Sequence, residues 1–323
     1  MKKFEWQHLN ISEINKIDVK AILPFWLLYD IYGDNLKILE CIEDGKPIAY
    51  FYYYRRTIFK FFQRIQNPLF IPYNEIILTK KDLPSNKAKY NSFIKNITAS
   101  LAEFINHKNK NSIITLTLNP LITDTQTFYW SNFKVIPYYT YQIDLRESIE
   151  SISRNFSPEK RNLIKKAEKD GLQVVEENNY DVLKTFVTST FERKNKSFDS
   201  KLVSEFIQKT HSNNLLKIYT CIDNNNEKIA SIGLLISDKT VYYIFSGFNS
   251  KNKHTGSISL LIFHAIKEFR EKGFHIFDFE GSMLQDVEKN FREFGGDMIP
   301  YYSLNKAPLL LEMILKIFQR NRF

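Results

Sequence analysis

The side chains best able to do chemistry are concentrated in residues 275–303, HIFDFEGSMLQDVEKNFREFGGDMIPYYS. Asp278 and Glu280 stand two residues apart in an apolar stretch, a spacing that puts both on one face of a strand over 275–280. Two carboxylates so placed are expensive to bury without partners. The turn Gly281-Ser282 leads into a short helix over 285–293, which carries Glu288 and Arg292 and stops at Gly295-Gly296 as a helix C-terminus should. A strand over 298–304 follows. This order gathers Asp278, Glu280, Glu288 and Arg292 at the carboxyl end of a strand, where open α/β sheets bind ligands. The two cysteines supply neither a disulfide framework nor a thiolate zinc site, and His254 and His264 lack metal-ligand spacing, so no metal is expected. The remaining chemistry is proton transfer with charge stabilisation. Asp278 or Glu280 would take the proton of an attacking amine or position the base, and Arg292 would offset developing charge. The bland alternative is that one acid caps a loop or pairs with Arg292.

Two further segments are candidates for holding phosphate. Ser157-Pro158-Glu159 begins a helix well, and Arg161 and Lys165 then fall one turn apart with Arg154 just upstream. The same spacing also describes a solvated surface helix. The loop 249–257 is basic and carries Lys253 and Gly256 where a helix begins, so its amides could cradle a phosphate. Ser282 completes the substrate-binding candidates. A Walker loop, a dinucleotide fingerprint and a nucleophile elbow are all missing from the sequence. The net charge of +9 favours an anionic partner, whether a small phosphorylated molecule, nucleic acid or a membrane surface.

The elements that must position these groups come in two similar sets, in a chain of 323 residues that is long enough for two cores. Asp44-Gly45 marks a hairpin over 37–54. The hairpin's residues Lys37-Ile38, Cys41-Ile42 and Ile48-Ala49 return in order as Lys217-Ile218, Cys221-Ile222 and Ile229-Ala230. Likewise Ile136-Pro137-Tyr138-Tyr139 returns as Ile299-Pro300-Tyr301-Tyr302. Such self-similarity implies two copies of one α/β unit. The recurrence of Cys41 and Cys221 marks both as packing residues. In the first copy Thr115, Thr117, Thr125 and Tyr129 stand where Asp278, Glu280, Glu288 and Arg292 stand in the second. The first copy therefore reads as a wall and the second as the reactive half. An amphipathic helix is expected over 85–108. Residues 12–32 read as helical with Pro24 interrupting, and further helices are expected near 158–170, 179–193, 199–211 and 256–272. The apolar segment 308–323 is read as a helix docked on the core, with a position on a membrane surface as the alternative.

Three segments resemble the Fem-type peptidyltransferases and acetyltransferase-like relatives of the GNAT superfamily. They are Tyr141–Leu145 leading into Arg161-Asn162-Leu163-Ile164-Lys165-Lys166-Ala167, then Asp278-Phe279-Glu280-Gly281-Ser282, then Phe291-Arg292-Glu293-Phe294-Gly295-Gly296. The resemblance implies an α/β fold of two tandem GNAT-like units, each a mixed central sheet flanked by helices. The first is expected over 1–145 and the second, with the active site, over 146–323. It also implies acyl transfer to an amine, with aminoacyl-tRNA or acyl-CoA as donor co-substrate and a nucleotide- or lipid-linked peptidoglycan precursor as acceptor. Arg292 occupies the position of that family's active-site lysine. Of the GNAT loop that binds acetyl-CoA, Lys253–Ile258 matches only the first glycine.

The expected function is thus a GNAT-type acyl- or aminoacyltransferase acting on an anionic small-molecule or lipid-linked envelope precursor, with tRNA and peripheral membrane contact as further expected partners. The alternative is a catalytically inactive double-GNAT scaffold that binds an anionic ligand or partner. The segment MKKFEWQHLN has no apolar core behind its lysines, and no run of 18 apolar residues occurs, so the expected compartment is the cytoplasm.

Overall fold

The computed structural model describes residues 4–19, 21–59, 62–193, 199–281 and 283–323. The chain packs as two units, one of residues 1–138 with 300–323 and the other of 139–299. The first contains β1 (Glu5–His8), α1 (Phe25–Tyr32), β2 (Leu36–Glu43), β3 (Lys46–Phe59), β4 (Phe62–Gln66), β5 (Ile77–Leu78), α2 (Lys87–Lys108), β6 (Ser112–Thr117) and α3 (Gln126–Trp130). The chain leaves it along β7 (Lys134–Asp144). The second contains α4 (Ile149–Asn155), α5 (Pro158–Lys169), β8 (Gln173–Glu176), α6 (Asp181–Arg193), α7 (Ser200–Ser212), β9 (Leu216–Ile222), β10 (Lys228–Ser237), β11 (Thr240–Phe248), α8 (Ser257–Glu271), β12 (Ile276–Asp278) and α9 (Gln285–Arg292). The chain returns along β13 (Asp297–Lys306) and closes with α10 (Leu309–Phe318).

Local chemistry explains most of these boundaries. Asp44 and Gly45 both take positive φ, 49° and 75°, as the two-residue turn between β2 and β3 demands. Asn86 caps α2 by accepting from the Lys89 amide at 3.1 Å, and Phe93, Ile97, Leu101 and Ile105 bury its apolar stripe. Pro24 restricts the residue before it to extended backbone and interrupts the helical segment 12–32, which forms a 3₁₀ turn at Ile11–Lys16 and then α1. The strand expected over 275–280 covers only 276–278, because Glu280 has φ of 62° and leaves the extended region.

Both units have the same pairing pattern. In the second, β7 pairs antiparallel with β12, β12 parallel with β11, and β11, β10, β9 and β8 follow antiparallel. In the first, β13 pairs antiparallel with β6, β6 parallel with β4, and β4, β3, β2 and β1 follow antiparallel. Cys41 faces Ala49 and Cys221 faces Ala230, each beside a register shift in its hairpin. Both thiols are fully buried and pushed up to about 12 by that burial, which fits packing and not reactivity. Each repeat's last strand is built into the other unit's sheet: residues 142–144 pair with β12 and residues 303–306 with β6. The contacts therefore group 300–323 with the first unit, whereas the sequence reading runs its second domain through to 323.

In the second unit α8 lies against β9 and β10, and α6 and α7 lie against β9 to β11. Helices on both faces account for the almost unbroken burial of β10. One expectation is overturned. None of the α10 side chains is buried, so this helix is not docked in a core. None of the described helices is long and apolar enough to cross a membrane.

Candidate functional site

The site begins where β12 ends. Asp278 is 1% exposed, and among the described residues three donors meet its carboxylate. The Thr140 hydroxyl donates to Oδ1 at 2.6 Å and the Glu280 amide to the same oxygen at 2.7 Å, while Gln142 Nε2 donates to Oδ2 at 2.8 Å. Thr140 and Gln142 share a face of β7, and Gln142 lies directly opposite Asp278 in the antiparallel ladder. This arrangement lets a buried carboxylate persist.

The same knot shapes Glu280. Its amide is tied back to Asp278 and its backbone is left-handed, a costly conformation for a residue with a Cβ. Gly281 follows at φ 74°, packed so closely that a Cβ would collide with the Tyr139 carbonyl. The Glu280 carboxyl is pushed up to about 8, first by removal from water and then by the negative charge of Asp278. Its residue is half-buried. A carboxyl that gains and loses its proton near neutrality is suited to general acid–base work. Beyond Tyr242, which faces Asp278, β11 runs on to Phe248 without β12 beside it, so the two parallel strands part at this level.

Phe279 is the residue that joins the motifs. Its ring stacks on Phe291 at 4.9 Å and lies 5.3 Å from Phe294, which clamps α9 and the turn after it against the end of β12. On the other side of Phe294 stands Lys160, 2% exposed, its ammonium 4.7 Å from the ring centroid. Lys160 Nζ donates to Asn290 Oδ1 at 2.7 Å and pairs with Glu293 at 3.3 Å. Burial lowers its pKa and Glu293 partly restores it. The Ser157 amide also donates to the Glu293 carbonyl at 2.8 Å. The three sequence motifs therefore meet in one packed assembly.

The acidic and basic groups expected to cluster here separate into two sets. Tyr141 lies between Thr140 and Gln142, so it points to the opposite face of β7, where its hydroxyl donates to Glu288 Oε1 at 2.6 Å. Arg292 Nε pairs with that same oxygen at 3.0 Å and remains largely exposed. Asp278 thus lies on one face of the strand, and the chain Tyr141–Glu288–Arg292 on the other. Burial and the Glu288 hydrogen bond raise the Tyr141 pKa.

The phosphate-binding candidates vary in availability. Arg161 Nη1 donates to the carbonyls of Arg154, at 3.0 Å, and Phe156, and so caps the end of α4. Lys165 and the Arg154 side chain are exposed. Gly256 begins α8, and a Cβ there would collide with the Leu163 carbonyl of α5, so the glycine serves helix packing. Its amide donates to His254 Nδ1 at 3.1 Å, and His254 Nε2 lies 3.0 Å from Asp170. These internal bonds occupy part of what a phosphate would use. Lys253 places its ammonium over Phe248 at 5.2 Å. Ser282 lies outside the described residues. Beside this loop is a cavity of about 750 Å³ lined by Thr185, Phe186, Lys228, Asn249, Lys251 and Asn252.

Several contributors were not expected. Thr140 and Gln142 hold Asp278 through pairing with a strand far away in sequence, which leaves no local mark. Lys160 does leave one: with Ile164 and Ala167 it falls on the buried side of α5 at helical spacing. The first unit also holds a half-buried acid, Glu75, bonded by the Ile22 amide at 2.8 Å and pushed up to about 7 by removal from water. Among the described residues no group of three or more His, Cys, Asp or Glu is arranged to hold a metal.

Residues 155–287 match the family described as the acetyltransferase (GNAT) domain. Among solved structures, the chain is similar to FemX, at 12% identity over 96% of this chain and 99% of that one, with a TM-score of 0.63. It is similar to L-PGS from Bacillus licheniformis, at 11% identity over 98% and 99% with a TM-score of 0.58. It also resembles the C-terminal domain of an Agrobacterium fabrum protein named as a lysylphosphatidylglycerol synthetase, at 12% identity over 94% and 95% with a TM-score of 0.58. No curated protein matches by sequence. The chain has a Fem-like double GNAT fold.

Proposed function

We propose that the second unit is an N-acyltransferase with Glu280 as its general base. The observation that carries this reading is a carboxyl pushed up to about 8, held in left-handed backbone where β11 and β12 part. In the reaction, the acceptor amine attacks the donor's carbonyl carbon and a C–N bond forms. The amine proton passes to Glu280. The bond from the carbonyl carbon to the donor's sulfur or ester oxygen breaks, and the leaving thiolate or alkoxide takes up a proton. Asp278 is too deeply buried to meet substrate, so it acts as a positioning residue through the Glu280 amide. Arg292, exposed and oriented by Glu288, is assigned to an anionic group of the substrate, together with Lys165 and Arg154. The donor is an acyl-CoA or an aminoacyl-tRNA. The acceptor is the amine of an anionic, lipid-linked or nucleotide-linked envelope precursor, a choice supported by a neighbour whose name denotes making a lysylated lipid.

A second reading, a non-catalytic scaffold for an anionic ligand, draws on the loop at Lys253–Gly256, whose glycine and amide are already used internally. The test is thermal denaturation against acetyl-CoA, longer acyl-CoAs and charged tRNA, followed by turnover with whichever donor raises the melting temperature. Transfer that falls by about 10²-fold or more in Glu280→Gln, with the melting shift retained, supports the enzyme. A donor shift without transfer in the wild-type protein supports the scaffold.

A further inference from the structure

The C-terminal helix α10 presents an apolar face that the protein itself does not cover. Leu310, Met313, Ile314 and Ile317 fall at i, i+3, i+4 and i+7, one stripe of a helix, with Leu309 and Phe318 beside it. These six side chains are between 49% and 80% exposed. Only Leu311, Glu312 and Leu315 are turned partly inward. Isolated exposed apolar residues are ordinary, whereas a contiguous stripe of this size marks an interaction surface.

The helix is not a loose tail. Its entrance is fixed by the pairing of residues 303–306 with β6, and the Lys306 ammonium donates to the Ser131 carbonyl at 2.8 Å. Its exit is fixed by Phe323, which is buried and whose amide returns to the Gln319 carbonyl. Between these anchors the stripe is held open to solvent.

The charges around the stripe indicate what covers it. Lys316, Arg320 and Arg322 are exposed at its C-terminal end, and Arg322 lies near enough to Arg64 to repel it. Glu312, the helix's own acid, is occupied by Lys316 at 3.2 Å. Exposed Tyr129 and Trp130 precede the Ser131 that holds Lys306, and both residue types favour the boundary between lipid and water. A sheet of anionic headgroups would complement these cations. A helix of 10 residues is about 15 Å long, too short to cross a bilayer and suited to lying in its surface.

We propose that α10 is an interfacial helix that docks the protein on an anionic membrane surface, apolar stripe inward and cations among the headgroups. Docking of this kind is independent of whether the second unit transfers acyl groups. The full chain is tested by co-sedimentation with vesicles of phosphatidylcholine alone and with vesicles containing phosphatidylglycerol. The wild-type protein is expected to bind the anionic vesicles preferentially and to release with salt. Leu310→Ser/Ile314→Ser/Ile317→Ser is expected to weaken binding on the order of tenfold or more. Arg320→Gln/Arg322→Gln is expected to weaken it severalfold and reduce the preference for anionic lipid. Because all five positions are exposed, circular dichroism and melting temperature should be unchanged. Equal wild-type binding to both vesicle types, or no binding to either, overturns the proposal. So does a lipid-free dimer that the triple serine substitution dissociates, which would assign the face to self-association.

Discussion

Asp278 provides the sharpest test of how the site is held together. Replacing it with alanine removes the acceptor for Thr140, the Glu280 amide and Gln142 at once. Gln142 is half-buried and can turn to water, but the Thr140 hydroxyl and the Glu280 amide are left facing the vacated space. At about 1–3 kcal/mol for each buried donor left unsatisfied, the loss is roughly 3–4 kcal/mol. Asparagine behaves differently, because among the described residues Thr140 and Glu280 bond to Oδ1 and Gln142 to Oδ2. An asparagine oxygen at the Oδ1 position keeps two of the bonds. Its amide nitrogen then faces Gln142, which can rotate its own amide to accept. Asp278→Asn should therefore cost under about 1 kcal/mol. For a unit of this size these figures correspond to a fall in melting temperature of about 10 °C for alanine and about 3 °C or less for asparagine. Thermal denaturation of the two variants beside the wild-type protein measures both. Equal losses in the two variants would refute this account of the hydrogen bonds. Asparagine also removes the charge that helps raise Glu280, so the pH at which transfer switches on should move downward in the variant that stays folded.

Other expectations concern Glu280 and Lys160. Because burial and Asp278 lift the Glu280 carboxyl to about 8, the folded protein holds a proton that the unfolded chain releases above the ordinary carboxyl range. The stability this contributes is full below that range and is lost progressively as pH rises to about 8, by at most about 5 kcal/mol. Glu280→Gln should flatten the decline in melting temperature between about pH 5 and 8, with Glu75 accounting for a residual slope that ends near pH 7; an unchanged profile would contradict the assignment. Glu280→Gly removes a side chain from left-handed backbone, so it should leave the melting temperature equal or higher by a few degrees while transfer falls as far as in Glu280→Gln. A clear loss of stability would mean that the glutamate side chain supports the fold. Lys160→Ala leaves Asn290 and Glu293 without their shared donor and opens space against Phe294, so it should cost about 2–4 kcal/mol in urea denaturation, against under about 1 kcal/mol for exposed Lys165→Ala.

Much of the scaffold was legible because its signals are local. The Asp44-Gly45 turn, the Ser157-Pro158 helix start and the stripe of α2 each depend on residues within a few positions of one another. The repeat was legible because Cys41 and Cys221 each need a small partner, Ala49 or Ala230, across a hairpin. Short pieces such as β1, β4, α4 and β8 carry too few residues to show a period. The site was only half visible. Asp278 and Glu280 were identifiable as unusual acids, but the strand that separates Asp278 from Glu288 is set by long-range pairing. The hydroxyl holding Asp278 belongs to a residue 138 positions earlier. Arg161 and Lys160 adjoin in sequence, yet helix geometry sends one to cap α4 and buries the other under Phe294. The apolar run in α10 was misleading because composition alone does not distinguish a core helix from one held open to an outside surface.

The exchange of final strands has a bearing on how the chain is made. Synthesis proceeds from the N-terminus, so the second unit, a continuous segment from 139 to 299, can close as soon as it emerges. The first unit is begun earlier and finished later, because β6 must wait for residues 303–306. Until then β6 presents an open parallel-sheet edge, a template for the wrong neighbour. The nearest strand of matching pattern is β7, whose Ile-Pro-Tyr-Tyr segment repeats in β13. Early closure of the second unit takes β7 out of that competition. The duplicated sequence thus carries a risk of mispairing in the nascent chain, and the nesting of one unit within the other supplies an order of events that avoids it.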